Sequence, residues 1–163
     1  MTESQPLKPA DIRRAAMDFL ARREHGSEEL FNKLKRRFRR HSECGDAIST
    51  ELEKLTVEGL LSDQRFAAAT VRQLILRGLG PRRLDAELRA RGVQADWQSC
   101  ADSAEREVDW FDRAEQVYLK KFAAKPWPED RDDFQKERAK RARFMQYRGF
   151  DPDHFIPLLQ KDD

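Results

Sequence analysis

The sequence predicts an all-α protein made of three tandem three-helix repeats. Apolar residues recur at helical spacing along the chain, whereas the alternating β-branched runs that indicate strands are nearly absent. Shifting the chain by 54 residues brings matching residues together: Leu20 with Leu74, Gly26 with Gly80, Leu30 with Leu84 and Leu34 with Leu88. Chance agreement among leucine-rich helices is the alternative, but a helix-breaking glycine matches as well as the leucines. Repeats of this length are typical of arrays whose units bury their faces against neighbours.

The first repeat, residues 10–61, follows a polar N-terminal tail of residues 1–9 and is expected to contain three helices. Their boundaries are marked by residues that favour helix starts or ends: Pro9, Asp11, Gly26, Ser27, Gly45, Asp46 and Gly59. Their inward stripes are apolar: Ile12, Ala16, Phe19 and Leu20, then Leu30, Leu34 and Phe38, then Ile48, Leu52 and Leu55. Each helix is therefore expected to bury one face.

The second repeat, residues 62–108, and the third, residues 109–163, continue the pattern with six more helices. Their boundaries and breaks are marked by Ser62, Asp63, Gly78, Gly80, Pro81, Gly92, Trp110, Pro126, Pro128, Gly149 and Asp151. The sixth helix is expected to run from about Asp96 to Glu107, and the ninth ends at Leu159. The inward residues are Phe66, Thr70, Val71, Leu74, Leu84, Leu88, Ala114, Val117 and Tyr118.

The chain is highly charged but nearly neutral overall. Charged residues make up 38% of it, yet 32 basic and 30 acidic side chains leave a net charge of +2, which argues against a dedicated nucleic-acid coat. Two distant cysteines and three histidines predict neither a disulfide framework nor a zinc site. No apolar run approaches the roughly 18 residues of a membrane helix, and residues 1–9 lack a secretory signal. A cytoplasmic protein without membrane contact is therefore expected.

The second helix carries the first candidate binding surface. Lys33, Arg36, Arg37 and Arg40 follow i, i+3, i+4, i+7 spacing, so they are expected to share one stripe, which Lys35 and Arg39 widen. Few acids interrupt this segment, so the stripe favours a polyanion or an acidic protein surface. The alternative is an ordinary solvated helix face.

The eighth helix carries a second basic stripe. Its members are Lys136, Lys140, Arg143 and Tyr147, flanked by Arg138, Arg141 and Arg148. An aromatic ring beside cations can stack on a base or a guanidinium group. The alternative is a solvated helix with Tyr147 partly in the core.

The segment of residues 77–84 is rich in glycine and arginine and opens a helix. Phosphate could bind free N–H groups there, and Arg77, Arg82 and Arg83 are candidate contacts. The segment lacks the Lys-Ser/Thr ending of a nucleotide-binding loop, and no strand precedes it. A tight turn between helices explains the glycines better.

No residue pattern indicates catalysis, so we expect a protein that is not an enzyme and holds no cofactor or metal. Histidines without acids at ligand spacing are expected at the surface: His25, His41 and His154. A further acidic cluster is explained better by a favourable interaction with a helix dipole than by metal binding: Asp130, Asp132 and Asp133. Buried or half-buried positions are expected for Cys44 and Cys100, and core positions for Trp97, Trp110 and Trp127.

Four motifs lie in order within residues 11–160. The most recognisable is Gly78-Leu79-Gly80-Pro81-Arg82-Arg83-Leu84, followed by Glu87-Leu88 and Arg91-Gly92-Val93. The others are Ser27 to Leu30 with Lys33-Leu34, Glu58 to Asp63 with Arg65-Phe66-Ala67, and Arg143 to Met145 with Tyr147 to Phe150. Together they resemble the RecX family of bacterial regulatory proteins, which act on the RecA recombinase. Asp109-Trp110 is most similar to the gammaproteobacterial versions.

The resemblance implies a monomer whose repeats form a curved, elongated, right-angled helical array. It also implies binding in the groove of the RecA–single-stranded DNA filament, where the family blocks filament extension and damps the recombinase, ATPase and coprotease activities of RecA. Single-stranded DNA is a second candidate partner. A sequence-independent nucleic-acid-binding module that uses the basic helix faces is the alternative, and an enzyme acting on nucleic acid is a third, weaker one.

Overall fold

A computed structural model describes residues 7–160, which form ten α-helices, one 3-10 helix and no β-strand. The helices are α1 (Pro9–Leu20), α2 (Ser27–Arg37), α3 (Cys44–Val57), α4 (Asp63–Leu76), α5 (Pro81–Ala90), α6 (Trp97–Cys100), α7 (Ser103–Arg106), α8 (Trp110–Phe122), α9 (Arg131–Arg148) and α10 (Pro152–Phe155), and the 3-10 helix is Ile156–Leu159. The all-α prediction is confirmed. Within residues 7–160, every helix is too short or too polar to cross a bilayer.

Residues 7–69 and 91–93 form one compact unit, in which α1, α2 and α3 pack together. Its buried core is Ile12, Ala15, Ala16, Leu30, Leu34, Cys44, Ile48, Leu52, Leu55 and Leu61. Leu30 and Leu34 are fully buried because i, i+4 spacing places them on one face of α2. The predicted inward residues at the margin are only half-buried: Phe19, Leu20 and Phe38.

Residues 70–90 and 94–160 form a second compact unit. One buried cluster is Ala114, Tyr118, Phe122, Met145, Phe150, Phe155 and Leu159. The predicted tryptophan anchors lie in this unit, where the Trp97 and Trp110 rings meet edge to face with centroids 5.4 Å apart. Trp97 is buried, and Trp110 and Trp127 are half-buried.

The prediction of one continuous sixth helix is wrong, because this segment forms two short helices, α6 and α7. Asp96 caps α6 by accepting the Ser99 N–H at 2.9 Å, and Ala101 then adopts an extended backbone with ψ of 146°. The predicted ninth helix also divides, into α10 and the 3-10 helix. Of the predicted tail, residues 1–6 lie outside the described part of the chain.

Candidate partner-binding surfaces

Five cations at the end of α2 and in the following turn form the first candidate surface. We name it the α2 basic cluster: Lys35, Arg36, Arg37, Arg39 and Arg40. All five residues are exposed, and no carboxylate within residues 7–160 forms an ion pair with them. The predicted single helical stripe is wrong for the last two members, because α2 ends at Arg37 and a turn carries them. Un-neutralised cations at this density attract a polyanion.

Lys33, predicted as part of the same stripe, contacts residues of its own unit. Its Nζ atom lies 3.2 Å from Glu29 Oε1 and 3.0 Å from His25 Nε2. The predicted surface position of His25 is wrong: its ring is buried, with Nδ1 3.0 Å from the Arg23 carbonyl oxygen. Burial lowers the pKa of His25, so a neutral ring that donates from Nδ1 and accepts at Nε2 satisfies both contacts.

The second surface follows α9, and we name it the α9 ridge: Lys136, Lys140, Arg143, Tyr147 and, from α5, Arg83. Tyr147 is 71% exposed, so its alternative placement in the core is wrong. The Arg83 guanidinium lies 5.1 Å from the centroid of the Tyr147 ring and also pairs with Glu87 at 3.1 Å. Lys136 contacts Asp133 at 3.4 Å, whereas Lys140 and Arg143 are exposed and form no ion pair within residues 7–160. The ridge therefore joins free cations to an accessible aromatic ring.

The flanking arginines of α9 serve the fold rather than this surface. Arg141 is only 2% exposed, so its predicted place beside the stripe is wrong. Its guanidinium lies 3.9 Å from the centroid of the Trp127 ring and donates to Tyr118 Oη at 2.8 Å. Burial lowers its pKa, but hydrogen bonds to Tyr118 and Glu137 outweigh this effect and raise it, so the group stays charged. The guanidinium of Arg138 donates to the Leu159 carbonyl oxygen at 3.2 Å.

The glycine-rich segment forms a tight junction with the end of α9. The Gly80 N–H donates to the Arg148 carbonyl oxygen at 2.8 Å, and the Arg82 N–H donates to the Gly149 carbonyl oxygen at 3.0 Å. These N–H groups are therefore unavailable to a phosphate, and the turn interpretation is confirmed. Of the candidate arginines here, Arg82 pairs with Asp151, whereas Arg77 is exposed and its backbone carbonyl accepts from the Arg148 guanidinium at 3.0 Å.

Many other arginines form ion pairs with acids in another part of the same unit. The pairs are Arg13 with Glu51 and Glu58, Arg23 with Glu29, Arg65 with Glu24, and Arg72 with Asp102 and Glu105. The α2 basic cluster differs from these residues because its charges stay available. The acids that pair with Arg13, Arg65 and Arg72 lie 30 or more residues away in sequence, so local spacing could not predict these pairs.

The acids and cysteines considered as possible metal or catalytic groups occupy structural positions. Asp130 caps α9 by accepting the N–H groups of Asp132 and Asp133 at 2.9 and 3.0 Å, as expected for acids at a helix start. Cys44 is buried and Cys100 half-buried, also as expected. Over residues 7–160, no three His, Cys, Asp or Glu side chains converge as metal ligands do.

Comparison with known proteins identifies the family. Family models of RecX match residues 62–101 as the second three-helix domain and residues 107–155 as the third. The regulatory protein RecX of Pseudomonas putida is 41% identical over 156 residues, which cover 95% of this chain and 93% of that protein. The chain belongs to the RecX family. A Pseudomonas fluorescens regulatory protein RecX is 41% identical over 150 residues, covering 91% and 89% of the two chains.

Solved RecX structures share the fold at low sequence identity. The crystal structure of a regulatory protein RecX matches with a TM-score of 0.68 at 20% identity, covering 91% of this chain and 71% of that one. RecX from Lactobacillus salivarius matches with a TM-score of 0.65 at 19% identity, covering 93% and 94%. Both likenesses show the shared all-α fold. The boundaries at residues 61–62 and 108–109 stay a prediction.

Proposed function

We propose that this RecX family member binds the groove of the RecA–single-stranded DNA filament and inhibits its extension, and with it the recombinase, ATPase and coprotease activities of RecA. Membership of a family of regulatory proteins carries the proposal. The protein acts by binding, as a cytoplasmic monomer without catalysis.

The exposed cations supply the means of binding. The α2 basic cluster lies in one compact unit and the α9 ridge in the other. Two modest contact regions on one chain reinforce each other, because the second contact becomes intramolecular once the first has formed. A filament repeats its surface, so it offers such paired contacts where a free RecA monomer does not. The full set of candidate contacts remains Lys33, Lys35, Arg36, Arg37, Arg39, Arg40, Arg77, Arg82, Arg83, Lys136, Lys140, Arg143 and Tyr147.

Sequence-independent binding to nucleic acid is the second candidate function. The observation that favours it is the α2 basic cluster, whose guanidinium groups lack ion-pair partners among residues 7–160. Such a surface binds phosphates regardless of sequence, and its affinity falls with salt. The exposed Tyr147 ring adds a platform on which a base can stack.

A three-way binding experiment separates these functions. Labelled protein is titrated with RecA–single-stranded DNA filaments, with the same DNA alone and with RecA alone at one salt concentration. The proposal expects the filament to bind most tightly. Equal affinity for filament and bare DNA would favour the nucleic-acid module instead.

A further inference from the structure

An open cleft runs between α2 and α3 in the first unit. Its volume is about 640 Å³, and it is lined by Ser27, Glu28, Phe31, Ser49, Leu52, Glu53, Thr56 and Val57. Phe31 is half-buried, and Val57 is 88% exposed at the end of α3. Exposed apolar surface of this kind stabilises a complex when a partner covers it.

The polar groups of the cleft differ in their availability. The Ser27 hydroxyl donates to Asp63 at 2.9 Å, and the Thr56 hydroxyl donates to the Leu52 carbonyl oxygen at 2.9 Å. Glu28 and Glu53 are exposed, and neither carboxylate forms an ion pair within the described range of 7–160. The cleft therefore offers an apolar floor and two free negative charges.

We infer that this cleft binds a polypeptide segment that presents an apolar side chain next to a lysine or arginine. The apolar side chain covers Phe31 and Val57, and the cation pairs with Glu28 or Glu53. The inference rests on the proposed function, because it makes the segment part of the RecA subunits in the filament. Nucleic acid is the wrong occupant, since two carboxylates repel phosphates.

The position of the cleft fits a target made of both protein and DNA. Lys35 of the α2 basic cluster holds its Nζ atom 5.9 Å from the centroid of the Phe31 ring, which lines the cleft. An acid-rimmed apolar surface and a basic surface therefore adjoin within one unit. The first suits polypeptide and the second suits phosphates, so each surface contacts one component of a nucleoprotein filament.

Charge reversal tests the inference against simple electrostatics. The double variant Glu28→Lys, Glu53→Lys makes the net charge more positive by about four, so non-specific attraction predicts tighter binding to any filament that contains DNA. The inference predicts the opposite: affinity for RecA–single-stranded DNA filaments falls at least about tenfold, while affinity for the DNA alone is unchanged or higher. The matched control Asp18→Lys, Glu115→Lys reverses two exposed acids outside the cleft and should keep wild-type filament affinity.

A second variant tests the apolar part without changing charge. Ser49→Trp fills the cleft from an exposed position on α3, and circular dichroism checks that the helices remain. It should also weaken filament binding about tenfold and leave DNA binding unchanged. Sedimentation of wild type and Ser49→Trp tests for self-association through the cleft.

The outcomes separate this inference from the proposed function. Wild-type protein that fails to bind filaments overturns both. If wild type and both cleft variants bind filaments equally well, the inference about the cleft is wrong but the proposed function stands. Variants that lose DNA and filament binding together contradict a polypeptide occupant, and a dimer that Ser49→Trp dissociates would assign the cleft to a second copy of the chain.

Discussion

The backbones of Gly80 and Gly149 lie so close that a methyl group added to Gly80 would come within 2.5 Å of the Gly149 carbonyl carbon. Hydrogen bonds at this junction join the start of α5 to the end of α9, across almost 70 residues of sequence. The glycine-rich motif on which the resemblance to the RecX family rests therefore forms a packing junction. Gly80 is needed there because main chain meets main chain.

Replacing Gly80 with alanine is expected to destabilise the protein by about 1–3 kcal/mol, because the new methyl group overlaps backbone atoms that cannot rotate away. Urea unfolding measures the change in stability. The matched control is Gly45→Ala in α3, where an added methyl group meets nothing within 4 Å. That control should be neutral or stabilise by up to about 1 kcal/mol. Equal stability of wild type and Gly80→Ala would contradict the junction.

Replacing Arg141 with methionine is expected to cost about 3 kcal/mol of unfolding free energy, because Tyr118 Oη and the Lys125 carbonyl oxygen lose their donor. The variant also removes the charge stacked on Trp127, so the tryptophan emission should change. The neighbouring variant Arg143→Met removes an exposed charge and should stay within about 0.5 kcal/mol of wild type. Similar stability of the two variants would contradict a stabilising role for Arg141 in the core.

Stability is expected to depend on pH through His25. Burial lowers the pKa of His25 below its ordinary value of 6.5, so the unfolded chain binds more protons than the folded protein as pH falls through 6.5. Wild-type stability should therefore decline between about pH 7 and pH 5, and His25→Gln should flatten that part of the profile. Chemical unfolding across this range measures the effect. Superimposable slopes for the two proteins would contradict a buried neutral histidine.

Glu29 is expected to act in a lower pH window. Burial raises the pKa of its carboxyl group, but hydrogen bonds from Arg23 and Lys33 outweigh that effect and lower it from 4.5 to about 2. A depressed acid pKa contributes stability above pH 4.5 that disappears as pH falls toward 2. Glu29→Gln should therefore reduce acid sensitivity below about pH 4.5. Because the Glu29 charge raises the pKa of His25, its removal should leave the decline between about pH 7 and pH 5 at least as steep as in wild type. Equal acid sensitivity of wild type and variant below pH 4.5 would contradict the lowered pKa of Glu29.

Binding to single-stranded DNA is expected to depend on salt through the α2 basic cluster. Replacing Arg36, Arg37, Arg39 and Arg40 with alanine should flatten the plot of log affinity against log salt by roughly 0.7 for each phosphate that the variant no longer neutralises. The charge-matched control replaces four other exposed cations with alanine: Arg14, Arg22, Lys120 and Lys125. Fluorescence anisotropy measures both variants. An equal change in the control would mean that total charge, and not this surface, governs binding.

Local spacing predicts the helices and the α2 basic cluster because both depend on neighbouring residues. Leu30 and Leu34 mark a buried face of α2, and the lack of nearby acids leaves Arg36 and Arg37 unpaired within residues 7–160. Spacing fails for Arg141. Its burial depends on Trp127, which the proline-rich break after α8 brings against α9.

The cleft between α2 and α3 has no signature in the sequence. Its rim acids Glu28 and Glu53 come from two helices, and only their packing makes one surface of them. His25 shows the same limit, because its polar sequence neighbours suggest exposure while Lys33 and the Arg23 carbonyl satisfy it inside the unit. Contacts between distant residues decide these positions.

The most direct test of the proposed function is the rate of DNA-dependent ATP hydrolysis by RecA filaments during assembly. We expect this protein to reduce the rate at amounts well below one molecule per RecA subunit, because blocking extension at a few positions limits the whole filament. A rate that stays unchanged at near-stoichiometric protein would contradict the proposal.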